Sequence, residues 1–194
     1  MIPWVELGRA SVPGGGEMRL MRRDQEYSIR LGVKELMNSR LSGSEEALAT
    51  LACARIAGVA RPRVLIGGLG MGFTLRAALA ALPQEAEIEV AEIVPAVAEW
   101  AKTEMAAIFA GSLGDPRVRV ELKDVAQIIG AARTRYDAIL LDVDNGPEGM
   151  TREANDGLYA ARGLGAARAA LRPGGILAVW SVAPDRRFTQ RLRD

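Results

Sequence analysis

The run Arg63-Val-Leu-Ile-Gly-Gly-Leu-Gly-Met-Gly-Phe-Thr74 constrains the fold more than any other stretch of the chain. Val64, Leu65 and Ile66 are apolar without alternation, the pattern of a strand buried on both faces. Gly67, Gly68, Gly70 and Gly72 follow as a tight loop, and Phe73 to Leu82 reads as a helix. A strand, a glycine loop and a helix N-terminus in succession let a ligand approach bare backbone N–H groups. A second strand, Glu87 to Ala91, then delivers Glu92 at its C-terminal end. In a doubly wound sheet an acid at that place accepts hydrogen bonds from ribose hydroxyls. The pair predicts a nucleoside site.

The glycine register narrows the ligand. A dinucleotide fingerprint needs glycine at its first, third and sixth positions. Counted from Gly68 the sixth is Phe73, and counted from Gly70 it is Leu75. A P-loop ends in Gly-Lys-Ser/Thr, whereas Gly72 is followed by Phe73-Thr74. What remains is G-x-G-x-G at 68, 70 and 72, the pattern of S-adenosylmethionine-type sites.

From Arg63 onward strands and helices alternate. Strands are predicted near Arg63–Ile66, Glu87–Ala91, Arg117–Leu122, Ala138–Leu141 and Ile176–Trp180. Helices are predicted near Phe73–Leu82, Ala96–Phe109, Val125–Ala132, Leu158–Leu171 and Asp185–Arg193, with Pro173-Gly-Gly175 turning the fourth helix into the last strand. The fold class is α/β: a doubly wound, mostly parallel sheet covered by helices on both faces. Right-handed crossovers bring all the strand C-termini to one edge.

Residues 1–40 read differently. Met18–Arg22 and Glu26–Leu31 flank Arg23-Asp-Gln25 as a β-hairpin. A lone hairpin is too small to fold by itself, so it should pack on the main body or on a second subunit. The division expected is a hairpin extension over 1–40 and a nucleoside-binding α/β domain over 41–194. Ser42-Gly-Ser-Glu45 resembles a capping box opening a helix.

Four acids fall at or beyond strand ends: Glu92, Asp124, Asp142 and Asp144. Asp124 also suits the cap of the helix starting at Val125. Asp142 and Asp144 would share a face if the strand continued, and two close carboxylates attract a cation. No further ligand set accompanies them, so no metal is expected. The chain contains no histidine, which removes Ser-His and Cys-His catalysis. Cys53, the single cysteine, reads as a small core residue. A net charge of +1 over 194 residues provides no general field for nucleic acid. No apolar run is long enough to span a bilayer, and Met1-Ile-Pro-Trp-Val-Glu6 lacks the form of a signal peptide. No membrane partner and a cytoplasmic location are the expectations.

Several stretches together resemble the spermidine synthases, aminopropyltransferases on the class I methyltransferase fold. They are Val64-Leu-Ile-Gly-Gly-Leu-Gly-Met-Gly72, Glu92-Ile-Val-Pro-Ala-Val97, Asp115-Pro-Arg-Val118, Tyr136-Asp-Ala-Ile-Leu-Leu-Asp142 and Leu171-Arg-Pro-Gly-Gly-Ile-Leu177. The resemblance implies that Gly67, Gly68, Gly70 and Gly72 pack against the methionine-derived part of a nucleoside and that Glu92 holds the ribose. It implies that Asp124 accepts from the adenine amino group, with Val125 beside the ring. Asp142, helped by Asp144, would orient and deprotonate an attacking amine. The co-substrate implied is S-adenosylmethionine or its decarboxylated form, the partner a small-molecule amine, and the assembly a homodimer.

The chain departs from that family's pattern at the loop, where Leu69-Gly70 stands in place of an acid. It departs again at Asp144, which follows Asp142 by two residues instead of three. An S-adenosylmethionine-dependent methyltransferase of unknown acceptor and a non-catalytic nucleoside-binding protein are therefore the alternatives. The C-terminal strand pair that completes the methyltransferase fold is expected to be missing.

Overall fold

The computed structural model describes residues 2–143 and 157–193. Two sheets organise them. The first is antiparallel, with order β1-β2-β3-β4, formed by β1 (Val5–Ser11), β2 (Glu17–Arg23), β3 (Glu26–Leu31) and β4 (Lys34–Asn38). The expected hairpin is β2–β3, closed by Asp24-Gln25 between the paired Arg23 and Glu26. Asp24 takes φ 55° there, a conformation that a short Asp side chain tolerates.

The expected hairpin is thus the middle of four strands, and Gly32 explains the last of them. Its φ of 59° turns the chain between Leu31 and Lys34, which pair directly, so β4 folds back on β3. A four-stranded sheet buries one face where a hairpin cannot. Met18, Leu20 and Ile29 fill that face and join the core of the main body. Gly8 lies against Trp100, where a Cβ would fall 2.3 Å from the indole nitrogen. Only a residue without a side chain lets β1 come that close.

The second sheet is wholly parallel, with order β7-β6-β5-β8-β9. Its strands are β5 (Arg63–Gly67), β6 (Glu87–Glu92), β7 (Val118–Leu122), β8 (Tyr136–Leu141) and β9 (Leu171–Val179). Every residue of β8 is buried, as its unbroken apolar run requires. The helices are α1 (Gly43–Arg55), α2 (Phe73–Ala81), α3 (Pro95–Lys102), α4 (Ala106–Phe109), α5 (Val125–Ala131), α6 (Ala161–Ala170) and α7 (Arg186–Arg191).

Three local expectations change. The predicted helix over Ala96–Phe109 is broken after Lys102, where the Thr103 hydroxyl donates to the Glu99 carbonyl at 2.8 Å and competes with the backbone ladder. Pro173-Gly-Gly175 lies inside β9 instead of preceding it, as a bulge between the Tyr136–Leu171 and Ala138–Ile176 pairs. The capping box at Ser42 does not form: the Ser44 hydroxyl donates to Glu45 at 2.6 Å, and the Ser42 side chain caps nothing.

Two of the family-like stretches have structural work. Arg117 is clamped by Asp115, with Nε 2.9 Å from Oδ1, and its NH1 donates to the Leu79 and Leu82 carbonyls at 3.1 and 3.0 Å. It thereby satisfies the free C-terminal carbonyls of α2. Asp137 accepts from the Arg63 backbone N–H at 2.8 Å and from Arg172 at 2.7 Å, tying together the starts of β5, β8 and β9. Cys53 is buried, and burial pushes its thiol up to about 11, so it is an inert core residue. No helix among the described residues is long and apolar enough to cross a membrane.

Candidate active site

Strand β5 lies at the centre of the parallel sheet with β6 on one side and β8 on the other, so chain connections diverge there. In open α/β sheets the crevice at such a reversal, beyond the strand C-termini, holds the ligand. The glycine loop, Glu92 and Asp142 all leave the sheet at this point.

The loop is built by backbone conformation. Gly68, Gly70 and Gly72 have φ of 90°, 49° and 78°, in the region that side chains disfavour. The Gly68 N–H donates to the Ala91 carbonyl at 2.9 Å, and the Asp142 N–H to the Gly67 carbonyl at 2.8 Å. The loop is thus stitched to both neighbouring strands. A Cβ on Gly68 would lie 2.2 Å from the Asp142 carbonyl oxygen, a rigid backbone atom. Gly68→Ala is therefore expected to destabilise the protein by about 2–4 kcal/mol, from the strained φ and the forced displacement together. A urea melt reads the stability. Gly67 is different: it ends β5 with ordinary φ, and its missing side chain leaves room for Val125.

Glu92 ends β6 and is 7% exposed. Its Oε2 accepts from the Leu69 N–H at 3.1 Å and its Oε1 from the Val94 N–H at 2.8 Å. Each oxygen keeps a lone pair for a further donor. Burial holds the carboxyl above its ordinary value, opposed by the N–H groups of Val94, Leu69, Ile93 and Gly70.

Asp124 caps α5, accepting from the Ala126 N–H at 2.8 Å, and Val125 beside it is buried. Asp142, just beyond β8, is partly buried, and its Oδ2 stands 2.5 Å from the Thr74 hydroxyl. Burial pushes it up to about 6; the Thr74 hydrogen bond pulls down and the charge of Glu45 pushes up. Asp144 lies outside the described residues.

One cavity joins these groups. It is lined by Gly68, Gly70, Glu92, Asp124, Val125 and Asp142. Among the described residues, four carboxylates line it, those of Glu45, Glu92, Asp124 and Asp142, against one cation, Lys123. Among the described residues, neither Glu45 nor Asp142 has an ion-pair partner in the protein. An acid-rich, partly apolar cavity favours a cationic ligand. The roof comes from the antiparallel sheet, whose Met18, Ile29, Leu31, Leu36 and Met37 face the same space. Met37 closes directly over Gly70, its sulfur 2.9 Å from where a Cβ would sit.

Of the residues expected at the site, Gly68, Gly70, Glu92, Asp124, Val125 and Asp142 line the cavity, whereas Gly67 and Gly72 do not: Gly67 packs on Val125 and Leu141, and Gly72 on Phe109. The sequence reading missed Glu45, Thr74 and the roof. Glu45 was read only as a capping residue, although it is 9% exposed, too buried for a mere helix-end charge. Thr74 carries no motif signal beyond following the last glycine.

No family model matches the chain. It is 30% identical over 124 residues, 63% of its length, to a protein named polyamine aminopropyltransferase from Prochlorococcus marinus (strain MIT 9313), and covers 41% of that relative. It is 34% identical over 116 residues, 59% of its length, to putrescine N-methyltransferase 2 from Nicotiana attenuata, covering 29% of it. The chain thus spans less than half the length of these curated relatives. Spermidine synthase from Thermotoga maritima superimposes with a TM-score of 0.76 over 97% of this chain and 63% of that one, at 18% identity. At that identity the match establishes the fold, which is the class I methyltransferase fold in its spermidine synthase-like form.

Proposed function

We propose that this spermidine synthase-like chain is a transferase that binds S-adenosylmethionine or its decarboxylated form and transfers an aminopropyl group to a small amine. The observation that carries this reading is the cavity in which the glycine loop, Glu92 and Asp124 meet Asp142, a carboxylate with no ion-pair partner among the described residues. A sulfonium nucleoside and an amine are both cations, and the acid-rich lining suits both. Glu92 would take the ribose hydroxyls on its remaining lone pairs. Asp124 would accept from the adenine amino group while capping α5, and Val125 would pack beside the ring. The glycine backbone would lie along the methionine-derived chain.

In the reaction the bound ammonium first loses a proton, and the lone pair so freed forms a C–N bond as the C–S bond breaks, the electron pair of that bond staying on sulfur as a neutral thioether. The proton lost from nitrogen goes to Asp142. Alignment of the two reactants in a site with little water supplies most of the acceleration, with the general base adding to it. The Prochlorococcus relative's name supports transfer of an aminopropyl group.

A second reading, methyl transfer to an amine, rests on the loop. Leu69 is 5% exposed and the loop carries no acid, so nothing in it would pair with an extra ammonium on the donor. The intact carboxylate of S-adenosylmethionine suits backbone N–H groups instead, and the Nicotiana relative is named as an N-methyltransferase. Mass spectrometry of a diamine panel incubated with each donor separates the readings. The aminopropyl reading expects a product larger by three carbons and one nitrogen, formed only from the decarboxylated donor. A one-carbon gain from S-adenosylmethionine would establish the second reading. Tight binding of both donors without any product would leave a nucleoside-binding protein and overturn both.

A further inference from the structure

Thr74 is buried at 3% exposure in the first turn of α2, between two acceptors on different elements. Its hydroxyl lies 2.5 Å from Asp142 Oδ2, beyond β8, and 3.4 Å from the Glu45 backbone carbonyl on α1. A hydroxyl has one proton to donate and lone pairs with which to accept. It therefore serves one of these two acceptors at a time.

We propose that Thr74 is a positioning residue for the amine acceptor chemistry: its hydroxyl holds Asp142 in both of its protonation states by turning between Asp142 and the Glu45 carbonyl. While Asp142 is ionised, Thr74 donates to it along the short contact. Once Asp142 has taken the proton from the amine, its new O–H donates to Thr74 Oγ1, and the hydroxyl hydrogen swings to the Glu45 carbonyl. No heavy atom needs to move, so the base keeps its place through the proton transfer. This inference rests on the base role given to Asp142.

Among the described residues, the charged groups that line the cavity with Asp142 are Glu45 from α1, Glu92 from β6, and Lys123 and Asp124 from the segment between β7 and α5. The antiparallel sheet contributes only apolar side chains there, among them Leu36 and Met37. None of these side chains is hydrogen-bonded to Asp142 among the described residues, whereas Thr74 is.

Thr74→Val keeps the shape and removes the hydroxyl. We expect kcat to fall about tenfold to a hundredfold, with KM for the nucleoside unchanged. The acid limb of the kcat–pH profile should move upward by about one unit, because the ionised base loses a hydrogen bond. Thr74→Ser should restore both. Thermal stabilisation by S-adenosylmethionine checks that the variant folds and binds. A fall in kcat with an unmoved acid limb would mean a merely structural role and would overturn the inference. If Asp142→Asn turns over normally, the base reading itself fails. If Asp142→Asn is inactive but Thr74→Val behaves as wild type, Thr74 alone is wrongly assigned.

Discussion

Asp142→Asn is expected to collapse turnover while leaving nucleoside binding nearly intact. The substitution keeps the size and an oxygen that can accept from Thr74, but an amide cannot take a proton from an amine. General-base help of this kind is worth about a hundredfold to ten-thousandfold in rate, and the loss should fall on kcat. Isothermal titration with S-adenosylmethionine and a transfer assay measure the two halves separately. Equal loss of binding and turnover would remove Asp142 from the chemistry. The pH dependence follows from the same burial. Asp142 is held up to about 6, so it is ionised above that value, and activity is expected to fall as pH drops through it.

Stability moves the other way. A carboxyl raised in the folded state binds its proton more tightly there than in the unfolded chain. Its contribution to stability is full below the ordinary carboxylate range and is lost as pH rises through about 6. The loss is on the order of 3 kcal/mol. Asp142→Asn, which is never charged, should therefore melt higher than wild type at pH 8 and about equally at pH 4. Greater stability together with loss of turnover is what a site carboxylate held against its solvation preference produces.

Glu92→Ala has the other large effect, on binding. Two hydroxyl hydrogen bonds to a charged acceptor contribute about 1.5–3 kcal/mol each. Their removal should weaken nucleoside affinity by at least about a hundredfold. The fold also loses the acceptor for the Leu69 and Val94 N–H groups, so the melting temperature should fall as well. Glu92→Gln separates the effects: one oxygen remains for the backbone, the fold should survive, and affinity should still drop. Unchanged nucleoside binding in Glu92→Ala, measured by calorimetry, would overturn the placement of the nucleoside in this cavity.

Which parts were legible in the sequence follows from the range of the forces involved. Strand β5, its glycine loop and α2 could be read because unbroken apolar runs and positive-φ glycines are local requirements. Glu92, Asp124 and Asp142 could be read because strand C-termini in a parallel sheet converge by topology. The fourth strand of the antiparallel sheet was not legible, because Gly32-Val33 is a weak turn signal inside an alternating pattern, Ile29-Arg-Leu-Gly-Val-Lys34, that reads on through it. Glu45 was misread because a capping motif and a buried site acid look alike in one dimension. The Asp115-Pro-Arg117 stretch resembled a family signature, and only its contacts show that it holds the end of α2.

By itself, then, the chain determined the parallel α/β sheet, the crevice at its strand ends and most of the acids around it. These follow from periodicity, chain chirality and glycine's lack of a Cβ, which act over a few residues. Only the tertiary structure decided what covers the crevice and what holds Asp142. The roof residue Met37, the acid Glu45 and the hydroxyl of Thr74 come from separate elements. Close packing alone, which no local pattern encodes, sets them beside Gly70 and Asp142.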